Sequence, residues 1–236
     1  MCGRFTVISE PIAIQQEFNL DASSIVWKTW KPRFNIAPSQ TVAVITRDSI
    51  QFPYMMTWGL IAHWLDLSKS KSGIINARSE TLLEKPTFRF PLLKNRRCLI
   101  LANGFYEWQK HTSDVKLKAP YYFFLKNHKP FAFACLFNRH ISPQNQVTET
   151  CAIITCEPNQ LVAQIHHRMP IMMHPDTALE WLQLDDPQQV LRYLVPFPSE
   201  LMDKHPVGQW VNNPHIDDLR CIMPLTNHQT DRLTLD

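Results

Sequence analysis

The sequence has little glycine, only a small excess of positive charge and no long apolar segment. Five glycines stand against 18 prolines in 236 residues, which indicates a chain that turns at prolines rather than at flexible hinges. The net charge of +3 excludes a strongly basic coat for nucleic acid, so an anionic partner must bind at a local patch. No apolar run approaches the roughly 18–20 residues that cross a membrane, and the first residues lack a signal-peptide layout. We therefore expect a cytoplasmic protein without a membrane partner.

No linker, repeat or charge block divides the chain, and short apolar runs dominate it. The runs TVAVI, CLILA, YYFFL, FAFACLF and CAIIT are rich in β-branched and aromatic residues, which is typical of strands. Helix signals are fewer. Ser9 is predicted to cap a helix through PIAIQQEF, Asp186 and Pro187 to begin a helix in PQQVLRYL, and TALEWLQL to form another.

Because strands outnumber helices and do not alternate with them, the sequence predicts one α+β domain. We expect it to be built round a barrel-like, mostly antiparallel sheet with flanking helices, over residues 1–226. Residues 227–236 are predicted to be a polar tail, and the protein is expected to be a monomer.

The six cysteines show no pattern that is typical of a metal site. Four lie in or beside the strand-like runs and are predicted to be buried, reduced thiols: Cys98, Cys135, Cys151 and Cys156. A zinc site from Cys151, Cys156, His166 and His167 is the alternative, but no CxxC motif supports it. We therefore expect neither a metal nor another cofactor.

The opening MCGRF places a cysteine behind the initiator methionine. Once Met1 is removed, Cys2 carries an α-amine and a thiol on adjacent carbons. At pH 7 about 15% of an α-amine is neutral, against about 0.04% of a lysine amine. Such a 1,2-aminothiol condenses with an aldehyde to an imine and then closes to a thiazolidine ring. An aldehyde is therefore the predicted electrophile, with an ester or amide as the competitor.

Two further stretches carry polar groups that are suited to a reactive site. In INARSET, Asn76 and Arg78 are two apart and share one face if the segment is a strand; the competing interpretation is a polar loop. In ANGFYEW, Glu107 lies between two aromatic residues, after a glycine that permits a sharp turn. Burial there would raise the pKa of Glu107 and suit it to acid–base catalysis, whereas a solvent-facing strand residue would have no such role.

The stretch IHHRMP contains His166, a natural proton carrier near neutral pH, although a histidine beside a strand is often structural. The three motifs share one spacing. In each of them a candidate reactive group precedes an arginine by two positions: Cys2–Arg4, Asn76–Arg78 and His166–Arg168. If all three segments are extended, the arginines converge and form a site for a phosphate-bearing substrate. Trp64 and Trp108 are candidate stacking platforms for bases.

The chain resembles the SRAP family (SOS response-associated peptidase), the abasic-site processing proteins, essentially from end to end. The matching stretches are MCGRF, RFNIAPSQ, MTWGLIAHW, IINARSET, RRCLILANGFYEW, IHHRMPIMM and HPVGQWVNN. The resemblance implies a single α+β domain of barrel-like sheets with a positively charged groove for single-stranded DNA. It also implies self-attachment, as a DNA–protein cross-link, to abasic sites, whose ring-opened sugar supplies the aldehyde.

The family's residue roles carry over onto the matching positions. The resemblance implies that Cys2 is the covalent nucleophile, that Asn76 positions the sugar or the Cys2 amine, and that Glu107 holds or deprotonates that amine. It implies that His166 moves protons during ring opening and imine exchange. Arg4 and Arg78 resemble the family's phosphate-gripping residues, and Arg168 is included with them as a candidate DNA contact.

One position departs from the family pattern. His167 follows the catalytic histidine where the family commonly has an acidic or small polar residue. An alternating strand would turn His167 away from the site.

Two other functions stay open at the level of sequence. Cys2 could attack an amide as an N-terminal-nucleophile hydrolase, in keeping with the family's name and with removal of its own Met1. The protein could also be a non-catalytic nucleic-acid-binding module in which Cys2 is incidental. A lyase activity on the DNA strand is a further expectation, with action at the nucleoid.

Overall fold

The computed structural model describes residues 2–65, 73–110, 118–142 and 144–225. Met1 and the predicted tail at 227–236 lie outside the described residues. The strands are β1 (Phe5–Val7), β2 (Arg33–Ile36), β3 (Thr41–Thr46), β4 (Ser49–Trp58), β5 (Asn76–Arg78), β6 (Arg97–Ala102), β7 (Gly104–Lys110), β8 (Lys118–Leu125), β9 (Phe131–Ile141), β10 (Val147–Cys156), β11 (Met169–Pro170), β12 (Met172–Met173) and β13 (Met202–Pro206). The helices are α1 (Pro11–Phe18), α2 (Pro86–Leu93), α3 (Gln160–Ala163), α4 (Pro175–Gln183) and α5 (Pro187–Arg192).

Five strands close a barrel in the order β3, β4, β10, β9 and β6. Strand β10 closes the ring because it pairs in parallel with β4 and antiparallel with β9. The other barrel pairings are antiparallel, and the short strands β5, β11 and β12 extend this sheet. The predicted barrel-like, mostly antiparallel α+β fold is confirmed, and each of the five apolar runs is a strand or part of one.

A second, five-stranded sheet packs against the barrel in the order β13, β8, β7, β1 and β2. Phe133 of β9 lies in edge contact with Phe5 of β1, at 5.6 Å between ring centroids, and with Phe105 of β7, at 6.3 Å. All three rings are fully buried. One hydrophobic core therefore serves both sheets.

The helices are short, and all three predicted helices are confirmed, with α1 covering PIAIQQEF. Asp186 caps α5 by accepting a hydrogen bond from the Gln188 N–H at 2.9 Å, and α4 covers the TALEWLQ stretch. The predicted cap of α1 was wrong, because the N-cap is Glu10 while the Ser9 hydroxyl accepts from Asn103 at 2.7 Å. No helix in the described ranges is long and apolar enough to cross a membrane.

All six cysteines are buried and free of disulfides, as was predicted for Cys98, Cys135, Cys151 and Cys156. Cys98 of β6 lies directly opposite Cys135 of β9 in the barrel wall. Burial raises the pKa of both thiols, so both stay protonated at neutral pH. Within the part of the chain that the structure describes, no group of three or more His, Cys, Asp or Glu side chains could hold a metal ion.

Candidate active site

Pairing between β1 and β7 of the second sheet brings Cys2 into the interior. Phe5 of β1 lies opposite Phe105 of β7, and the pairing continues toward the N-terminus because the Tyr106 N–H donates to the Arg4 carbonyl at 3.0 Å. Cys2 is fully buried. Burial raises the pKa of its thiol, and the negative charge of the neighbouring Glu107 raises it further. The thiol is therefore neutral in the resting protein.

Asn76 approaches Cys2 from the barrel. It begins β5, which pairs in parallel with β10 and places Asn76 opposite Ile153. The Asn76 Nδ2 donates to the Cys2 carbonyl oxygen at 3.0 Å. Its buried Oδ1 has no hydrogen-bond partner among the described residues, so this oxygen is available to accept from a ligand. One amide thus fixes the nucleophile's main chain and presents an acceptor beside it.

Glu107 of β7 is the carboxylate of the site and is only 2% exposed. Burial raises its pKa to about 7, as the aromatic surroundings predicted. The preceding glycine, Gly104, is the first residue of β7 and directly follows the bend at Asn103 between β6 and β7. A Cβ there would come within 2.5 Å of the Tyr122 ring on β8. Gly104 therefore permits the close approach of Tyr122.

His166 completes the centre, with its Nδ1 at 3.7 Å from the Glu107 Oε2. The segment 166–168 is a turn after α3 and does not meet the condition of an extended segment, since the His166 N–H donates back to the Val162 carbonyl at 2.9 Å. For the same reason His167 does not point away from the site. Its ring lies 4.4 Å from the His166 ring, and both line one cleft.

The four predicted catalytic residues therefore meet where the two sheets pack together. Cys2 and Glu107 come from the second sheet, while Asn76 and His166 come from the barrel sheet and the turn beside it. The arrangement joins a buried thiol, an amide, a carboxyl with a pKa near neutrality and an imidazole. Together these groups can bind a small polar electrophile and transfer protons near pH 7.

The three predicted phosphate-binding arginines have different surroundings. Arg78, at the end of β5, is exposed. The Arg4 guanidinium is half-buried and donates to the Asn35 Oδ1 at 3.0 Å and to the Val211 carbonyl. Arg168 is only 8% exposed and bonds Glu80, so a phosphate could reach it only by displacing that carboxylate. Arg78 is the one of the three whose side chain is exposed.

Two clefts flank the four residues. One, of about 420 Å³, is lined by Asn76, Arg78 and Lys85 and is basic. The other, of about 570 Å³, is lined by His166 and His167 together with Glu157. Sequence reasoning missed Lys85, whose position just before the proline that begins α2 gave no sign of its nearness to Asn76.

The predicted stacking residue Trp64 is 52% exposed. Its ring meets the edge of His63, at 4.8 Å between centroids, and His63 stacks on Phe90 at 3.6 Å. The other candidate, Trp108, is tied to the protein, because its Nε1 donates to the Asn212 Oδ1 at 2.8 Å. Stacking of a base on Trp64 stays a prediction that this exposure permits.

Comparison with known proteins gives a consistent result. A family model described as SOS response associated peptidase (SRAP) matches residues 1–214. Abasic site processing protein YoqW of Bacillus subtilis (strain 168) is 39% identical over 217 residues, which cover 91% of this chain and 95% of that protein. Abasic site processing protein HMCES of Gallus gallus is 31% identical over 229 residues, which cover 83% and 67% respectively. A solved structure from Bacteroides thetaiotaomicron shares the fold, with a TM-score of 0.81 at 23% identity over 95% of this chain and 100% of that one. The chain belongs to the SOS response associated peptidase family.

Proposed function

We propose that the protein processes abasic sites in single-stranded DNA by forming a covalent thiazolidine cross-link through Cys2 after removal of Met1. The observation that carries this proposal is the contact between the Asn76 amide and the Cys2 carbonyl, with the Glu107 carboxyl beside the same cysteine. The names of the relatives, abasic site processing proteins, support the same substrate.

The state of the Cys2 thiol supports an order for the two bond-forming steps. Burial raises the pKa of the thiol, whereas an α-amine has an ordinary pKa of about 7.7–8.0 and is partly neutral at pH 7. The amine therefore adds first to the aldehyde carbon of the ring-opened sugar, and loss of one water gives an imine. The S–H then adds across the C=N bond, with sulfur on carbon and the proton on nitrogen, and closes the ring.

Glu107 and His166 supply the proton transfers that these steps need. With a pKa of about 7, Glu107 is present in both protonation states near neutrality. The carboxylate takes a proton from the attacking amine, and the acid returns one to the departing hydroxyl. His166, whose Nδ1 lies 3.7 Å from the Glu107 Oε2, exchanges protons with the sugar during ring opening.

The DNA strand is held at the basic cleft. Arg78 and Lys85 are both exposed there and place two positive charges beside Asn76. Such charges bind backbone phosphates and position a strand without reading its sequence. The exposed Trp64 ring provides a surface for an unpaired base, which adds affinity without requiring a high net charge.

Amide hydrolysis by Cys2 is the competing function. A cysteine hydrolase attacks as the thiolate, and here burial and Glu107 both raise the thiol pKa and oppose its ionisation. The same geometry serves an amine nucleophile well, since a nearby carboxyl group stabilises the ammonium and accepts its proton.

The test is a denaturing gel of the protein with single-stranded DNA that bears one abasic site, with intact-mass analysis of the protein's N-terminus. We expect a shifted band that requires the lesion, requires protein that begins at Cys2 and disappears in Cys2→Ala. Cys98→Ala, which removes a buried thiol from the barrel wall, is the matched control and should retain the band. No shift from protein confirmed to begin at Cys2 would overturn the proposal and favour the hydrolase.

A further inference from the structure

An ion pair joins the segment that carries Asn76 to the turn that carries His166. Glu80 lies in the 3-10 turn Ser79–Thr81, directly after β5. Arg168 donates from Nη1 to the Glu80 Oε1 at 2.6 Å and from Nη2 to the Oε2 at 2.9 Å. This two-pronged geometry is the most directional that a guanidinium and a carboxylate can adopt.

The same guanidinium also reaches the barrel strand between these two segments. Its Nη2 donates to the Thr155 carbonyl at 2.7 Å. Thr155 of β10 lies opposite Arg78 of β5 on one side and Pro170 of β11 on the other. Arg168 therefore connects both segments to β10, the strand that closes the barrel.

The main chain of Arg168 holds the imidazole of His166 directly. The Arg168 N–H donates to the His166 Nδ1 at 3.1 Å, and the Arg168 carbonyl oxygen lies at the same distance from that atom. Any movement of the Arg168 backbone consequently moves or rotates the His166 ring. Glu107, at 3.7 Å from the same Nδ1, would then lose its alignment with the imidazole.

We infer that Glu80 and Arg168 are positioning residues, whose ion pair fixes the turn 166–168 and thereby sets the orientation of His166 toward Glu107. The inference deepens the proposed function, on which its activity readout rests. It assigns Arg168 a role inside the protein instead of the phosphate contact that the sequence predicted. Glu80, which lies in the INARSET stretch, had no predicted role because its partner is 88 residues away along the chain.

Only short local elements flank these two segments, since the turn leads into the two-residue strand β11. Strand β5 has three residues and, among the described strands, pairs with β10 alone. The turn follows a helix of four residues. If Glu80 loses its charge, the guanidinium of Arg168 is left buried without a counter-ion. The turn must then shift to return that charge to water, and His166 shifts with it.

The decisive comparison uses Glu80→Gln and Arg168→Lys, which keep the size or the charge of the side chain but remove the two-pronged ion pair. Glu149→Gln is the matched control, since Glu149 pairs with Arg139 at 2.7 Å between β10 and β9, outside the candidate site. Three quantities are measured for each variant: the cross-linking rate at saturating DNA, the Kd for an undamaged strand, and the ¹⁵N shifts of the His166 imidazole during a pH titration.

We expect both site variants to cross-link at least about 10-fold more slowly at saturation, because small displacements of a catalytic group are costly. The Kd for undamaged DNA should stay within about 2-fold of the wild type, since neither substitution removes a phosphate-binding group. The His166 shifts should change in both variants and remain as in the wild type in Glu149→Gln.

Two results would overturn the inference. If Glu80→Gln tightens binding to undamaged DNA and Arg168→Lys weakens it, with the saturated rate unchanged, Arg168 contacts phosphate and Glu80 competes with it. Unchanged rates and imidazole shifts would show that the ion pair has no positioning role. If wild-type protein itself forms no cross-link, the proposed function fails, and the imidazole shifts, which need no substrate, still decide the role of the ion pair.

Discussion

At the scale of single residues, burial is what raises the pKa of Glu107. The side chain is 2% exposed, and its pKa of about 7 lies well above the ordinary value of 4.5 because water is excluded from the carboxylate. A pKa shift of this size means that burial disfavours the ionised carboxylate by about 3 kcal/mol, which is comparable to the effect of a typical core mutation. The buried carboxylate therefore lowers the stability of the fold once it is ionised.

Glu107→Gln should separate the stability cost of the buried carboxylate from its proposed role in cross-linking. We expect cross-linking to slow while the affinity for DNA stays near wild type, because the amide cannot accept the amine's proton. The wild-type rate should rise with pH through about 7 as Glu107 ionises, and the variant should keep only the rise near pH 8 that follows deprotonation of the α-amine. A cross-linking rate unaffected by the substitution, measured on a denaturing gel over pH 5–9, would remove Glu107 from the mechanism.

The same substitution should change stability in a pH-dependent way. A raised carboxyl pKa means that the folded state binds a proton more tightly than the unfolded state, so wild-type stability falls as pH rises from about 4.5 to about 7. Glu107→Gln should therefore be more stable than the wild type by up to about 3 kcal/mol at pH 8, with no gain at pH 4. Urea unfolding at both pH values measures the difference.

Arg78 is the exposed arginine of the basic cleft, and its removal should act on DNA of any kind. We expect Arg78→Ala to weaken binding to damaged and undamaged strands equally. The slope of log K against log salt concentration should become shallower by about 0.7 for each phosphate that the variant no longer neutralises. Arg192→Ala, an exposed arginine on α5, removes the same charge away from the cleft and should change neither. A weakening confined to damaged DNA would contradict phosphate binding by Arg78.

At the scale of elements, Gly104 determines how closely β7 and β8 can pack. Alanine at this position would place its Cβ about 2.5 Å from the buried Tyr122 ring, whose hydroxyl lies 2.9 Å from the Thr6 Oγ1. The ring cannot simply swing away, because it also packs against Tyr106 and Phe124. Strain in β7 would reach Glu107 three residues later.

We expect Gly104→Ala to destabilise the fold by about 1–3 kcal/mol and to slow cross-linking. Combining it with Tyr122→Leu should recover part of the lost stability, since the smaller side chain vacates the space that the new methyl group needs. Urea unfolding of both single variants and the double variant measures this coupling. Strictly additive losses would show that Tyr122 is not what excludes alanine.

Elements that are defined by their own residues were predictable from the sequence, whereas those defined by distant partners were not. The β-branched and aromatic runs identified β3, β6, β9 and β10 because their apolar pattern is a local property. Whether residues 166–168 are extended could not be predicted, since the hydrogen bonds that fix them in a turn come from α3 and from Arg168 itself.

The candidate site shows the same division. Cys2, Asn76, Glu107 and His166 were identified by chemical type and meet as predicted. The inward direction of Arg168 was not predictable, because it depends on a carboxylate that tertiary structure brings from Glu80. Lys85 escaped notice for the same reason, as only the packing of α2 places it beside the β5 residues.

At the scale of the whole molecule, the site spans two sheets and depends on their shared core. Phe133 projects from the barrel strand β9 and contacts Phe5 and Phe105 of the second sheet. If this core is one cooperative unit, neither sheet can unfold alone. The Cys2–Asn76 contact, which joins the sheets, would then persist until the whole domain unfolds.

Phe133→Leu tests whether the two sheets unfold as one cooperative unit. We expect a loss of about 1–3 kcal/mol in the free energy of unfolding, and equal shifts of the urea midpoint by far-UV circular dichroism and by tryptophan fluorescence. The fluorescence reports on both sheets, because Trp58 lies in β4 of the barrel and Trp108 in β7. Phe52→Leu, at an exposed position on β4, is the control and should cost less than about 0.5 kcal/mol. Two separate transitions would show that the sheets unfold independently. A shared core could then no longer explain how residues from both sheets keep the spacing that the proposed cross-linking requires.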